Sequence, residues 1–397
     1  MKRLAIFVVV ILTIFALSSA LLAQVLARAV TVPVTLDHHR IVIDVYVPLK
    51  DGTTKRVRGL VDTAQSDFLI SLRVAQLLDK NTSCEKDWCK TAGPGKILIG
   101  GLEIPLGALG QASFPARPAA FNDALIPGMS PEVILPATIW KNYDLLIDYA
   151  NRQLTVGPPG SVKFEGTRVP MKVASDGTIS LPAKIEGQKY EFALDTGLPA
   201  SLLDVDEFAK LHKDHPNWPS AAGSLGAENM TGAAEELDRA VLRIPSIQIG
   251  STTLQDVMFG SAAAHAGVAG RIGGEVFKGT QIGIDYAHSS LYIEQVSPAA
   301  ISSGLDVVGL TLRPEVDGRY TVVAIVPYDG QPAVADVKAG DVLVGVDGAP
   351  VTGATLGQVW SLLGGEPGQI RKIIIERDGK RMAVEVPVRR FLAAKTN

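Results

Sequence analysis

Cysteine is nearly absent: the 397 residues hold two, Cys84 and Cys89. Two thiols with no histidine pair at ligand spacing beside them cannot complete a tetrahedral zinc site, so neither a metal nor a cofactor is expected. A charge field of one sign is missing too. The formal net charge is −3, with acidic and basic residues interspersed, which leaves nothing to draw nucleic acid to the surface. The six histidines are scattered. His38, His39, His212 and His215 stand in no signature with a paired acid and nucleophile, which leaves a Ser–His–Asp hydrolase without support. What is abundant is 47% apolar residues together with 39 glycines and 24 prolines, the profile of a globular chain tilted toward strands and turns rather than disorder.

Lys2 and Arg3 precede an uncharged, mostly apolar stretch from Leu4 to Ala27, followed by Arg28. A basic start, an apolar body and small residues at Ala27 and Ala29 fit a secretory signal. About 20 apolar residues also suffice to span a bilayer, so an uncleaved anchor at residues 4–27 is the competing reading. Both place the rest of the chain outside the cytoplasm, in the periplasm or cell envelope. There Cys84 and Cys89 are expected to close a short disulfide loop.

Two stretches of about 130 residues carry three landmarks in the same order. An apolar strand runs into Asp-Thr at Leu60-Val61-Asp62-Thr63-Ala64 and again at Ala193-Leu194-Asp195-Thr196-Gly197. Helix-leaning segments follow, Phe68 to Leu78 and Ser201 to Leu211. The second landmark is Ile97-Leu98-Ile99-Gly100, matched by Ile247-Gln248-Ile249-Gly250, and the third is Leu146-Ile147-Asp148-Tyr149-Ala150, matched by Gly283-Ile284-Asp285-Tyr286-Ala287. The Asp-Thr sites lie 133 residues apart and the Asp-Tyr-Ala sites 137, an offset constant enough to indicate duplication. Short alternating runs between Gly, Pro and Asp turns make each half a small, mainly β lobe. Asp148 and Asp285 are read as structural turn carboxylates, and Trp140, Tyr143 and Tyr149 as packing residues.

The two Asp-Thr turns carry the chemistry. An apolar strand strips water from the base of the aspartate, glycine permits a tight turn and close backbone approach, and the threonine hydroxyl can bond across to the partner turn. Two carboxylates about 3 Å apart repel by roughly 5 kcal/mol at an effective dielectric near 20, so the pair shares one proton over a broad pH range. One member can then take a proton from water while the other polarises a carbonyl. Because the titration belongs to the pair, neither role is assigned to Asp62 or Asp195 alone.

These repeated turns resemble the retropepsin-like fold, and two halves in one chain resemble a bilobal pepsin-type aspartic peptidase. The resemblance covers residues 31–295. It implies catalytic roles for Asp62 and Asp195, support from Thr63, Ala64, Thr196 and Gly197, and a peptide or unfolded protein as substrate. It also implies an apolar–apolar–Gly element bracing each turn, which Arg271-Ile272-Gly273 fits, and Cys84 and Cys89 resemble a small disulfide loop of pepsins. Lobe one departs from the pattern: Ala64 replaces glycine, and Ile134-Leu135-Pro136 has proline, which lacks an N–H, where glycine is expected. Lobe one is therefore expected to hold its aspartate less firmly, and a non-catalytic peptide-binding or adaptor protein in the envelope is the alternative function.

After residue 300 the pattern changes. Val307-Val308-Gly309-Leu310-Thr311-Leu312, the run Ala339-Gly340-Asp341-Val342-Leu343-Val344-Gly345-Val346-Asp347-Gly348, a helical stretch Leu356 to Leu363 and two closing strands resemble a PDZ domain. The resemblance implies that Gly309, Leu310, Thr311 and Leu312 meet the terminal carboxylate of a peptide ligand. The expected architecture is mainly β: a signal or anchor at 1–29, retropepsin-like lobes at 30–158 and 161–296, and a PDZ domain at 300–390.

Overall fold

The computed structural model describes residues 28–78, 83–85, 88–107, 109–115, 131–222, 240–263, 267–297, 305–315 and 317–392. The expected signal or anchor at 4–27 lies outside them. The chain is mainly β. Its first three quarters form two lobes of matching connectivity, and the final quarter a separate β module.

Each lobe is built on one mixed sheet whose centre is a parallel pair. In lobe one the strand Thr54–Val61 leads to Asp62 and pairs in parallel with Val133–Leu135, in the register Leu60↔Ile134 and Val61↔Leu135. In lobe two Gln188–Leu194 leads to Asp195 and pairs in parallel with Gly270–Ile272, in the register Ala193↔Arg271 and Leu194↔Ile272. The next short strands, Leu69–Ile70 and Ser201–Leu203, slot antiparallel against the same partners. Both segments had read as helix from the start, but their first residues are buried strand and the helices begin later, at Leu72 and Val205. Apolar Leu69, Ile70, Leu202 and Leu203 are all buried, and a continuous run of that kind suits a central strand.

The glycine landmarks are turns. Gly100 and Gly250 sit at φ +56 and +61, and a Cβ there would stand 2.5 Å from Val32 and 2.8 Å from Val169 respectively. Each turn thereby packs against an outer strand of a third sheet, which both lobes build together. Its order is Val30–Pro33, Gln153–Gly157, Asp144–Asp148, Thr280–Asp285, Ser290–Gln295 and Thr167–Pro170, three strands from each lobe. At its centre the two Ile-Asp-Tyr landmarks pair antiparallel, Leu145↔Ile284 and Ile147↔Ile282. Asp148 accepts from the Asn151 N–H at 2.8 Å, and Asp285 from the His288 N–H at 3.0 Å, so both close the turns that follow them.

The C-terminal module has a five-strand path, Leu310–Pro314, Tyr320–Ile325, Val342–Val346, Ile370–Arg377 and Lys380–Pro387, with one helix, Leu356–Leu363. Leu312, Tyr320, Val322, Leu343, Leu356 and Ile373 are fully buried in its core. Asp341, buried, is held by the Arg377 guanidinium at 2.7 Å through both oxygens. The module is seated on lobe one. Asp37 Oδ1 accepts from Thr355 Oγ1 at 2.6 Å and from the Gly357 N–H at 2.9 Å, at the start of the helix. A carboxylate there meets the free N–H groups and positive end of the helix dipole.

Candidate active site between the lobes

The two Asp-Thr turns meet tip to tip. Thr63 Oγ1 donates to the Leu194 carbonyl at 2.7 Å and accepts from the Thr196 N–H at 3.2 Å. Thr196 Oγ1 donates to the Val61 carbonyl at 2.7 Å and accepts from the Thr63 N–H at 3.3 Å. Both threonines are buried, so these four bonds form where water cannot compete. The strands behind the turns are fixed alike: the Asp62 N–H donates to the Leu135 carbonyl and the Asp195 N–H to the Ile272 carbonyl, at 3.0 and 2.9 Å.

The side chains of Asp62 and Asp195 line one cavity of about 880 Å³ between the lobes. Asp62 Oδ1 accepts from the N–H groups of Ala64 and Gln65 at 2.9 and 3.0 Å. Asp195 Oδ1 accepts from the Gly197 N–H at 3.1 Å, and its Oδ2 pairs with Arg271 Nη1 at 3.2 Å. Asp62 Oδ2 lies against the second turn, 2.4 Å from where a Cβ on Gly197 would stand. Burial raises the Asp62 carboxyl to about 7, with the charge of Asp195 adding to it and the Ala64 and Gln65 N–H groups opposing. Burial also raises Asp195, against the pull of Arg271 and the N–H groups of Gly197 and Leu198. The pair therefore holds a proton where isolated carboxylates would not.

Lobe one grips its aspartate better than the sequence led us to expect. Neither Ala64 nor Gly197 is at positive φ, so the turn asks for no glycine at Ala64, which still donates its N–H. The glycine at 197 is needed for close approach alone. Pro136 has a matching change. In lobe two the Gly273 N–H donates to Ser201 Oγ at 2.9 Å. By strand register the lobe-one counterparts of Gly273 and Ser201 are Pro136 and Phe68, so donor and acceptor are lost together and nothing is left unsatisfied.

Arg271, Gln65 and Leu356 are among the cavity residues that the sequence did not single out as functional. Leu356 comes from the module's helix, and only folding reveals its place. Arg271 had been read as part of a brace, although a cation opposite Ile134 of the other repeat was a visible mismatch. Of the remaining residues, Cys84 and Cys89 form a disulfide joining the strands Ser83–Glu85 and Trp88–Ala92. Gly309, Leu310, Thr311 and Leu312 lie in the C-terminal module, away from the cavity and buried. A Cβ on Gly309 would stand 2.6 Å from the Phe391 ring. Among the described residues no cluster of three His, Cys, Asp or Glu side chains could hold a metal ion.

A family described as Aspartyl protease matches residues 181–276, most of lobe two. Among solved structures, the aspartic proteinase from Irpex lacteus aligns over 69% of this chain and 99% of its own at 15% identity, with a TM-score of 0.43. A photosystem II D1 C-terminal processing protease aligns at 28% identity over 21% of this chain and 23% of its own, with a TM-score of 0.20. No curated protein matches the sequence.

Proposed function

We propose that the chain is an aspartic endopeptidase working outside the cytoplasm on extended or unfolded polypeptide. The observation that carries this reading is the reciprocal threonine grip, which brings two buried carboxylates to one cavity from two lobes. In the singly protonated pair the ionised carboxylate takes a proton from a water molecule as that water's oxygen bonds to the scissile carbonyl carbon. The protonated carboxyl gives its proton to the carbonyl oxygen, yielding a neutral tetrahedral diol and leaving one proton on the pair. Collapse transfers a proton to the leaving nitrogen, breaks the C–N bond and restores the starting state. The alternative of a binding protein without turnover rested on Ala64 and Pro136, and the retained Ala64 N–H and the paired change at Phe68 weaken that ground.

Cleavage of a denatured protein should fall by three orders of magnitude or more in Asp62→Asn and in Asp195→Asn, with melting temperatures showing both still folded. Unchanged cleavage in both variants would end the peptidase reading.

The disulfide supports an oxidising compartment, and residues 4–27 would direct or tether the chain there. The C-terminal module would act as a PDZ domain, offering Gly309–Leu312 to a peptide's terminal carboxylate. Binding of peptides with free but not amidated C-termini, measured by fluorescence anisotropy, tests that assignment.

A further inference from the structure

The floors of the two half-sites match strand for strand but not in chemistry. In lobe one the positions facing the cavity are Leu60, Ile134 and Leu69, which pack together as an apolar cluster. The register places Ala193, Arg271 and Leu202 at the same positions of lobe two. One large apolar residue has become alanine and its neighbour across the parallel pair arginine. The small side chain leaves room beside it for the arginine stem, and the guanidinium reaches Asp195 Oδ2 at 3.2 Å. The Asp195 side chain is only 4% exposed and that of Arg271 24%. A pair so far out of water is screened little and biases its carboxylate strongly. Asp62 is met instead by backbone N–H groups, with its second oxygen against Gly197.

We propose that Arg271 is a positioning residue that keeps Asp195 as the ionised member of the pair and so leaves the shared proton on Asp62. The inference rests on the peptidase reading and deepens it: Asp195 is then the base that takes the proton from water, and Asp62 the acid that protonates the substrate carbonyl. The neighbouring charges do not do this work. Arg40 is engaged by Asp37, and Glu191 by Lys172 at 3.1 Å and Ser180 at 2.6 Å. Asp176 is turned to Thr178, and Glu275 accepts from the Ser201 N–H. Tyr149, buried behind Asp195, is pushed further from ionisation and stays neutral. Among the described residues, Arg271 is the cation in contact with the pair.

The sign of the effect follows from charge. A cation beside the carboxylates favours their ionised forms and lowers the pH at which the first proton leaves. In Arg271→Gln the acid limb of the kcat/KM profile should move to higher pH by about one unit or more, and the alkaline limb should rise with it. Arg271→Lys should keep most of the wild-type profile. The double variant Ala193→Leu with Arg271→Ile copies the floor that lobe one already packs, and it serves if the glutamine variant does not fold. A loss of activity with both limbs unmoved would reduce Arg271 to a structural residue and overturn the proposal.

A second readout needs no turnover. Carbon-13 NMR titration of the aspartate carboxyls, assigned through Asp62→Asn and Asp195→Asn, should show Asp195 deprotonating below Asp62 in the wild type. That order should be lost in Arg271→Gln; deprotonation of Asp62 first, or an unchanged order without Arg271, would refute the assignment. If both asparagine variants still cleave protein, the peptidase reading falls, whereas the NMR order continues to judge Arg271 by itself.

Discussion

At the scale of single residues, the two Asp-Thr turns show what a glycine is for. Gly197 is not at positive φ, so its service is empty space: a methyl group there would come within 2.4 Å of Asp62 Oδ2 and 2.6 Å of Asp62 Cγ. Gly197→Ala must therefore displace a carboxylate held in place by two N–H groups, and an error approaching 1 Å in such a group costs about 100-fold in rate. We expect a loss in kcat of that order with the fold retained. Ala64→Gly changes no bond to Asp62 and should alter kcat by only a few-fold. Equal losses in the two variants would contradict the asymmetry. Much of this was legible: the repeated Asp-Thr turns named both aspartates and both threonines. What could not be read was which substitutions were compensated, because Phe68 and Pro136 are 68 residues apart in sequence and meet only across a strand register. Arg271 was hidden for a related reason, since its role depends on Ala193 being small beside it.

At the scale of elements, the alternating and apolar runs fixed the strands well. The helix Leu356–Leu363 falls where the helical stretch was expected. The missed elements are two- and three-residue strands ahead of helices, too short to leave a period of their own. Seating of the module's helix on lobe one was also invisible, because the contact joins residues 320 positions apart. That seat is tight. A Cβ on Gly357 would stand 2.4 Å from Asp37 Oδ1 and 2.5 Å from the His38 nitrogen, while the His38 and Trp360 rings meet edge to face at 5.0 Å. Gly357→Ala should push the helix off lobe one and disturb the side of the cavity that Leu356 backs from within the module's core. The expected result is an altered residue preference in a peptide-library cleavage profile together with faster proteolytic removal of the module. An unchanged profile with the module displaced would mean that its seat does not shape the cavity.

At the scale of the whole molecule, the site exists only because two half-molecules are held in one relative position, by the shared six-stranded sheet below and the threonine grip above. The grip contributes through burial. Removing the Thr63 hydroxyl leaves the Leu194 carbonyl and the Thr196 N–H without their partner in a dry interface, where each unsatisfied group costs about 1–3 kcal/mol. Thr196→Val does the same to the Val61 carbonyl and the Thr63 N–H. Because the two hydroxyls sit in one bonded cluster, breaking the first loosens the second. The double variant Thr63→Val with Thr196→Val should then lose less stability than the sum of the singles, with a coupling of about 1 kcal/mol or more in denaturant unfolding. The same series should show activity falling at the first substitution and little further at the second, since one broken side already frees the turns to separate. Strict additivity in stability would mean that the two bonds act independently and that the sheet alone sets the distance between the aspartates.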